Sequence, residues 1–512
     1  MSAFRYNLYL ILHRINLGRW DPWIILTLAI TIFGFVLRIY DLGAQSLWYD
    51  EGYTINAALA MLDRGLPILP SGYFYSRGIL NTGLTALSIG AFGASEAAAR
   101  LPSVLFGTLT IPLSFFFARR IGGKWLGLVT AFLVAFSVLE IAWSRQARMY
   151  QELQFFYVLS LFFFYQFTIK NTDRCLILTI MATAGAILSH EFGFSLVLIY
   201  LSYLFAINIK GIKRLFSRFQ FLNSQNILFA LSIIVLLILS EVFFSIISTV
   251  WNTRMNYLGN YLLYLRQTIP VIFLLAPAGA VLFLFKEYKP ALLLVLAIII
   301  PAYFICFHME LLGFRYIYFI LPVFFTFFAY FVTYLPSLIA GKNFRFATNC
   351  AMAVTLLGVI IFTSGFNFLP QKTYYLDNTA PQPDFKHAYN FINENLDDND
   401  TIIDTWPAVG SYYLKKPPDY WLEFNITGTR KDYSAGDDKT RELYTYIPII
   451  RNRQALEAVV DQNPSGWLVI DCLAQARLPS ETILFIEETL DYHEEGSLST
   501  IGGDIKVYGW VR

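Results

Sequence analysis

The sequence predicts a polytopic α-helical membrane protein with a C-terminal soluble α/β domain, and three observations predict it. The 512 residues are 56% hydrophobic and 17% aromatic but only 14% charged, with a mean hydropathy of +0.52, a balance foreign to soluble chains. Apolar runs long enough to cross a bilayer recur up to residue 366 and then stop. The net charge of +2 hides an asymmetry: residues 1–366 carry 25 Lys and Arg against 13 Asp and Glu, whereas residues 367–512 carry 13 against 23. A basic membrane domain, 1–366, is therefore joined to an acidic soluble domain, 367–512.

A spanning helix takes about 20 mostly apolar residues. Such runs fall at 22–40, 101–118, 125–143, 153–169, 175–189, 192–208, 227–248, 268–285, 290–307, 316–338 and 347–366, about eleven spans. Arg5, His13, Arg14 and Arg19 precede the first, which runs on without a small-residue cleavage site and reads as a retained span with a cytoplasmic N-terminus. Alternate connections then carry Arg119, Arg120 and Lys124; Lys170 and Arg174; Lys210, Lys213, Arg214 and Arg218; Lys286 and Lys289; Lys342 and Arg345. Those loops are cytoplasmic by the positive-inside rule. The outer face of the plasma (inner) membrane receives 41–100, 144–152, 190–191, 249–267, 308–315 and the soluble domain. The run 79–93 contains Asn81, Thr82 and three glycines, and counting it as a span would turn every later basic loop outward. It reads as an outer interfacial helix, as does 54–65.

In the tail, periodicity predicts helices at 384–395, 454–461 and 481–490 and strands at 401–404, 467–471 and 505–511, a parallel or mixed sheet without a Gly-rich phosphate loop. Residues 430–440 read as a surface loop. Cys175, Cys306 and Cys350 lie in or at the ends of apolar runs and Cys472 is alone in the tail, so no disulfide framework is indicated.

Charges beside a bilayer are costly unless they face water, a cavity or a partner. Asp50 and Glu51 follow the first span inside an aromatic collar, Trp48-Tyr49 and Tyr53. They read either as solvated loop acids capping a helix or as a carboxylate that takes a proton from an attacking hydroxyl. Arg145 and Arg148, three residues apart on the same face, can present fork donors to a phosphate. His190-Glu191 occupies the shortest outer loop, and Arg315 stands at the mouth of a span as a further phosphate candidate against the alternative of headgroup snorkelling. The loop from Trp251 to Arg266 is rich in aromatics and suits a lid or an interfacial belt, the belt being the better reading for its tyrosines. Outer carboxylates together with outer arginines imply a site handling a lipid with a phosphate head. For a polyprenyl-phosphate sugar, an acceptor hydroxyl must lose a proton while the phosphate leaves readily, so a base and cations suffice.

The ordered stretches Ser46-Leu47-Trp48-Tyr49-Asp50-Glu51-Gly52-Tyr53, Phe92 through Arg100-Leu101-Pro102-Ser103, Ser144-Arg145-Gln146-Ala147-Arg148-Met149-Tyr150, Ser189-His190 and Arg315-Tyr316 resemble those of the GT-C glycosyltransferases. Among these the chain is most similar to the broad family holding protein O-mannosyltransferases and the lipid A aminoarabinose transferase (glycosyltransferase family 39-like), over residues 20–340. The resemblance implies a GT-C fold and transfer of a monosaccharide from a polyprenyl-phosphate donor to a lipid, glycan or protein acceptor on the extracytoplasmic face. Asp50 would be the acid that contacts or deprotonates the acceptor, Glu51 its neighbour, and Arg315 the holder of the lipid phosphate. Tyr150 stands where some relatives carry a second acid, with Glu152 two residues on. Arg77, in Tyr75-Ser76-Arg77-Gly78, supplies a cation where relatives often have a charged or His/Pro-rich entry to the interfacial helix.

The expected site thus comprises Asp50 and Glu51 as catalytic acids, Arg77, Arg145, Arg148 and Arg315 for the donor phosphate, and Trp48, Tyr53, Tyr150, Glu152 and His190 in support. Partners are the lipid-linked donor, the acceptor and membrane lipids, not nucleic acid. No organic cofactor is called for, and a divalent metal is left open. The alternatives are a ligase or polymerase of lipid-linked oligosaccharides, and a lipid-sugar transporter or flippase, for which Glu241 inside an apolar run is the best support.

Overall fold

Residues 21–215, 256–309, 312–339, 383–424, 434–435, 438–500 and 503–511 are described by the structure, a computed structural model. The expected spans 227–248 and 347–366, with Glu241 and Cys350, lie outside these residues, as do the basic residues before Asp21 and parts of the loops 249–267, 308–315 and 430–440.

Asp21 opens helix α1 (Pro22–Ile39) by accepting the Trp23 N–H at 3.2 Å, with Pro22 in the first turn, where its missing donor costs nothing. Helix α2 (Tyr49–Arg64) begins where Glu51 accepts the Trp48 backbone N–H at 3.0 Å and ends at Gly65, left-handed at φ 76°. Helix α3 (Ile79–Phe92) has 14 residues, roughly 21 Å against a hydrocarbon layer of about 30 Å, in line with an interfacial helix. The chain continues through α4 (Glu96–Gly122), α5 (Lys124–Phe136), α6 (Val138–Ser144), α7 (Tyr150–Lys170) and α8 (Asp173–Ser189). After a 3-10 turn, Glu191–Phe194, come α9 (Ser195–Leu215), α10 (Leu258–Thr268), α11 (Pro270–Lys286) and α12 (Tyr288–Phe307). A second 3-10 turn, Phe314–Ile320, leads into α13 (Leu321–Ile339).

Among the described residues six helices are long and apolar enough to cross a membrane, or eight if each of two bent pairs counts as one span. The expected span 125–143 is one of these pairs: α5 and α6 meet at 58°, with Ser137 extended between them. The other joins α10 to α11 at 112°, at Pro270, which has no backbone N–H to continue the helical ladder.

The soluble domain contains α14 (Phe385–Asn395), β1 (Thr401–Asp404), α15 (Pro407–Leu414), β2 (Tyr420–Leu422), β3 (Ser434–Ala435), β4 (Asp438–Glu442) and β5 (Ile449–Ile450). It closes with α16 (Arg453–Gln462), β6 (Ser465–Asp471), α17 (Cys472–Gln475), α18 (Ser480–Thr489), β7 (Asp491–Thr500) and β8 (Gly503–Val511). Its sheet runs β5-β2-β1-β6-β8-β7. The pairs from β5 to β6 are parallel and those with β8 antiparallel, a mixed sheet. The β3–β4 hairpin is separate. All six tail elements read from the sequence are present; α15, α17 and the short or charged strands β2, β3, β4, β5 and β7 come in addition, with the β3–β4 hairpin where residues 430–440 were expected to form a loop. One apolar cluster runs from Leu47, Ile55, Ala86 and Ile89 in the membrane domain to Phe385, Tyr389, Val409 and Tyr413 in the soluble one. The two domains therefore share a core.

Candidate active site

The loops expected on one face converge around Asp50, in the first turn of α2. The chain enters α2 through backbone that is held from several sides. Arg100, near the start of α4, donates to the carbonyls of Leu42, Gln45 and Ser46 at 2.9–3.0 Å. The same guanidinium grips Glu51, Nε to Oε1 at 2.9 Å and Nη2 to Oε2 at 2.8 Å. Glu51 is fully buried and also accepts the N–H groups of Trp48 and Ala147, at 3.0 and 2.7 Å. Both its oxygens are spent on protein donors. Glu51, expected as a catalytic acid, thus ties α2 to α4 and to the 145–149 loop.

Asp50 is different. Its carboxylate meets Arg148 Nη2 at 3.5 Å, with the side chain 12% exposed. Arg148 Nη1 is in turn fixed by the Asp50 carbonyl, Thr54 Oγ1 and the Tyr75 hydroxyl, at 2.9, 2.9 and 3.2 Å. Burial opposes the Arg148 charge, but the Asp50 carboxylate and the Tyr75 and Tyr150 hydroxyls outweigh it and hold the guanidinium above its usual range. Arg148 therefore orients Asp50 rather than standing ready for a ligand.

Arg145 departs further from expectation. Its guanidinium donates to the carbonyls of Leu37, Arg38, Tyr40 and Asp41, at 3.5, 3.0, 2.5 and 3.1 Å, and so caps the C-terminal end of α1. A phosphate would have to compete with four carbonyls for it.

Arg315, in the 3-10 turn before α13, is half-buried and lies over the Trp48 and Tyr316 rings at 5.3 and 5.2 Å. It is in electrostatic range of Tyr150, Asp50, Tyr316 and Tyr49, and its Nε has no hydrogen-bond partner among the described residues. Trp48 is completely buried, with Arg315 over its ring and Tyr49 edge-on to it at 4.8 Å. Tyr150 packs on Trp143, His190 and Tyr316 with ring centroids 5.3, 5.7 and 6.4 Å away. His190 stacks on Phe192, and its Nδ1 accepts the Phe192 N–H at 3.2 Å, which leaves the proton on Nε2. Burial, then the like charges of Arg148, Arg315 and Arg77, push its pKa down to about 3. The ring is a neutral donor. Arg77 is exposed at the rim.

Two conformational details bring these loops together. Gly78 is left-handed at φ 61°, and a Cβ there would come within 2.7 Å of Met149 Cβ and 3.1 Å of the Ser189 carbonyl. Only glycine lets the Arg77 turn close onto the residues beside Arg148 and His190. Behind Arg315, the Tyr318 hydroxyl donates to Glu140 at 2.7 Å and lies against Gln151, while Gln154 donates to Glu140 and to the Tyr318 carbonyl at 3.0 and 3.1 Å. This buried network fixes the 3-10 turn against α6 and α7.

Two other expected residues face elsewhere. Glu152 accepts from Asn81 on α3 at 3.0 Å, and Tyr53 stacks on Tyr444 of the soluble domain at 4.1 Å. The sequence reading missed Arg38, Arg100, Thr54, Tyr75 and the Glu140 network. Arg100 had a signal, a cation at the start of an apolar run that needs a buried partner. Among the described residues no three His, Cys, Asp or Glu side chains come together to hold a metal ion, and the charges nearest Asp50 are guanidiniums. The arrangement offers one carboxylate, largely buried and 12% exposed, held by a cation, with a further cation over the adjoining Trp48 ring and a neutral imidazole donor in the same group of loops.

A family model described as dolichyl-phosphate-mannose-protein mannosyltransferase matches residues 79–242, a segment that contains Arg148, Tyr150 and His190. An uncharacterised protein of Aquifex aeolicus (strain VF5) is 26% identical over 159 residues, 30% of this chain and 32% of that protein, so the match spans about a third of the relative's length. The crystal structure of ArnT from Cupriavidus metallidurans bound to undecaprenyl phosphate superposes with a TM-score of 0.60 at 16% identity, over 95% of this chain and 98% of that one. The oligosaccharyltransferase AglB from Archaeoglobus fulgidus, in complex with an inhibitory peptide and a dolichol-phosphate, gives 0.56 at 12% identity over 87% of this chain and 69% of its own. At these identities the likeness is one of fold, and it is the GT-C fold expected from the five sequence stretches.

Proposed function

We propose that this chain, a membrane protein of the GT-C fold, transfers a sugar from a polyprenyl-phosphate donor to an acceptor hydroxyl at the extracytoplasmic face, with Asp50 as the base. The observation that carries the reading is the contrast within one dipeptide. Glu51 is consumed by Arg100 and two N–H groups, whereas Asp50 keeps a carboxylate that meets only the 3.5 Å contact from Arg148 among the interactions seen.

In the reaction the acceptor O–H gives its proton to the Asp50 carboxylate as its oxygen attacks the anomeric carbon. The bond from that carbon to the phosphate oxygen breaks, and its electron pair leaves with the polyprenyl phosphate. Arg315, with Arg77 at the rim and the His190 Nε2–H, binds the phosphate oxygens on which charge accumulates. A phosphate leaves without general-acid help, so the Glu152 carboxyl, turned to Asn81, is not required. One displacement inverts the anomeric centre. The apolar side chains of Trp143, Tyr264, Phe314 and Ile317, grouped beside the Arg315 turn, suit contact with the first isoprene units of the lipid. The undecaprenyl phosphate bound to ArnT and the dolichol-phosphate bound to AglB, in proteins of the same fold, support a donor of this class.

The test is transfer from a panel of undecaprenyl-phosphate sugars by membranes containing the wild-type or the Asp50→Asn protein. Transfer by the wild type and its loss in the variant are expected. Equal rates would refute the role of Asp50, and activity with diphosphate-linked oligosaccharides only would favour the ligase reading.

A further inference from the structure

We infer that the soluble domain aims the base: its residues Trp406 and Ala408, packed along α2, set the rotation of the helix that carries Asp50. The inference rests on the transferase reading and adds to it a positioning role for a domain remote in sequence.

Three faces of α2 have three different neighbours. Glu51, Ile55 and Ala58 face the buried interior, through Arg100 and the shared apolar cluster. Asp50 and Thr54, one turn apart, face Arg148. Tyr49, Gly52, Tyr53 and Asn56, at the i, i+3, i+4, i+7 spacing of a single stripe, all face the soluble domain. Tyr49 stacks on Trp406 with centroids 4.4 Å apart and planes at 15°. Tyr53 stacks on Tyr444 at 4.1 Å and 30°. Asn56 Nδ2 donates to the Ala408 carbonyl at 2.7 Å. Between them, a Cβ on Gly52 would meet Val409 Cγ2 at 3.0 Å and the Ala408 carbonyl carbon at 3.1 Å, so α15 rests on the backbone of α2 itself. At the helix entry the Leu47 N–H donates to the Tyr413 hydroxyl at 2.9 Å, and that hydroxyl donates to Glu96 at 3.2 Å.

The soluble domain thus touches α2 at Tyr49, next to Asp50, and again on each following turn. Its effect on Asp50 is geometric. A rotation of about 25° moves an atom on the 2.3 Å Cα cylinder by roughly 1 Å, and a carboxylate further out by more. A misplacement of about 1 Å at a reacting group can cost 10²-fold in rate. The membrane domain grips two faces of α2, through the Glu51–Arg100 pair and the 2.9 Å bonds from Arg148 to the Asp50 carbonyl and Thr54. The Asp50 carboxylate meets Arg148 only at 3.5 Å, too long for a good hydrogen bond, and the soluble domain holds the third face.

The experiment uses full-length protein in detergent micelles with an undecaprenyl-phosphate sugar that the wild type accepts. Rates are normalised to the number of sites that bind undecaprenyl phosphate, so that loss of folded protein is not read as loss of rate. Trp406→Ala is expected to lower kcat by about tenfold or more with the donor KM within about threefold, and Trp406→Phe, which keeps a stacking ring, to recover most of it. In the Asp50→Asn background Trp406→Ala should add little, because the base it aims is gone. Asn56→Ala, which removes one hydrogen bond from a half-buried side chain, should show the same pattern more weakly and serves if Trp406→Ala does not fold. Unchanged kcat in both variants, a rise in KM alone, or full additivity with Asp50→Asn would overturn the inference. Equal activity of wild-type and Asp50→Asn proteins would instead overturn the base role of Asp50, and no transfer by the wild type from any polyprenyl-phosphate sugar would overturn the transferase reading itself.

Discussion

Arg38 and Arg145 exchange caps between the first span and the bent third one. Arg38, from the last turn of α1, donates from Nη1 and Nη2 to the carbonyls of Ala135 and Val134 at 2.9 and 2.8 Å, in the last turn of α5, and from Nε to Ser144 Oγ at 3.0 Å. Arg145, one residue past α6, returns the arrangement at the end of α1. The break in the third span and the exit of the first are thus satisfied by one exchange of guanidiniums. This is how a bent helix keeps its carbonyls paired away from water.

Replacing either arginine by methionine leaves buried carbonyls without donors. At about 1–3 kcal/mol for a buried group left unpaired, each change should lower the thermal midpoint of the detergent-solubilised protein clearly. The affinity of the molecules that remain folded for undecaprenyl phosphate should not change. Loss of that affinity in folded Arg145→Met protein would return Arg145 to the phosphate site.

Asp50 and Glu51 should separate activity from stability. Asp50→Asn should reduce transfer by about 10²–10⁴-fold, the range of a general base, with a smaller loss of thermal stability than Glu51→Gln, because the 3.5 Å pair with Arg148 is the weaker of the two. Glu51→Gln strands the Arg100 charge in a site with no solvent, and breaking a buried pair in this way costs about 3–5 kcal/mol. It should show as lost yield of folded protein in gel filtration.

Arg315→Lys keeps a charge but not the planar fork that lies on Trp48 and Tyr316. The donor KM should rise about tenfold, equivalent to roughly 1.4 kcal/mol, while the melting curve moves little. An unchanged KM would place the phosphate elsewhere.

His190 titrates near 3 in the folded protein against about 6.5 in an unfolded chain. Between these values the unfolded state binds the extra proton, so stability is full above about pH 6.5 and falls as the pH drops toward 3. Within pH 5–8 the ring stays neutral, and wild type and His190→Gln should give parallel pH–rate profiles. A limb near pH 6.5 that disappears in the variant would identify His190 as an acid or base instead.

Much of the architecture was legible because about 20 apolar residues in a row have few alternatives, and the acidic tail broke that pattern cleanly. The bends were not legible. Whether 125–143 is one helix or two depends on Arg38 supplying donors from another span, which no local pattern reveals. Asp50 could be found as an acid at a membrane edge, but its separation from Glu51 could not. Neighbours on a helix point about 100° apart, and the sequence does not say which direction meets Arg100. Arg145 looked like a phosphate ligand because its partners are backbone carbonyls, which every residue possesses, and Arg148 because its partners Asp50, Thr54 and Tyr75 lie more than 70 residues away in sequence. Strand β7 escaped because its first half is charged, as befits a sheet edge.

The capping of α5 by Arg38 also orders the making of the protein. Ala135 lies 97 residues after Arg38, roughly 5–20 s of ribosome travel at about 5–20 residues per second. During that interval the first helix sits in the bilayer with a guanidinium that only water and lipid headgroups can serve. The handover to Val134 and Ala135 commits the nascent amino-terminal half to its final packing well before the ribosome reaches Trp406. The base helix is therefore installed first and trued by the tail afterwards, so a chain truncated before the soluble domain should insert and assemble its first spans and yet remain idle.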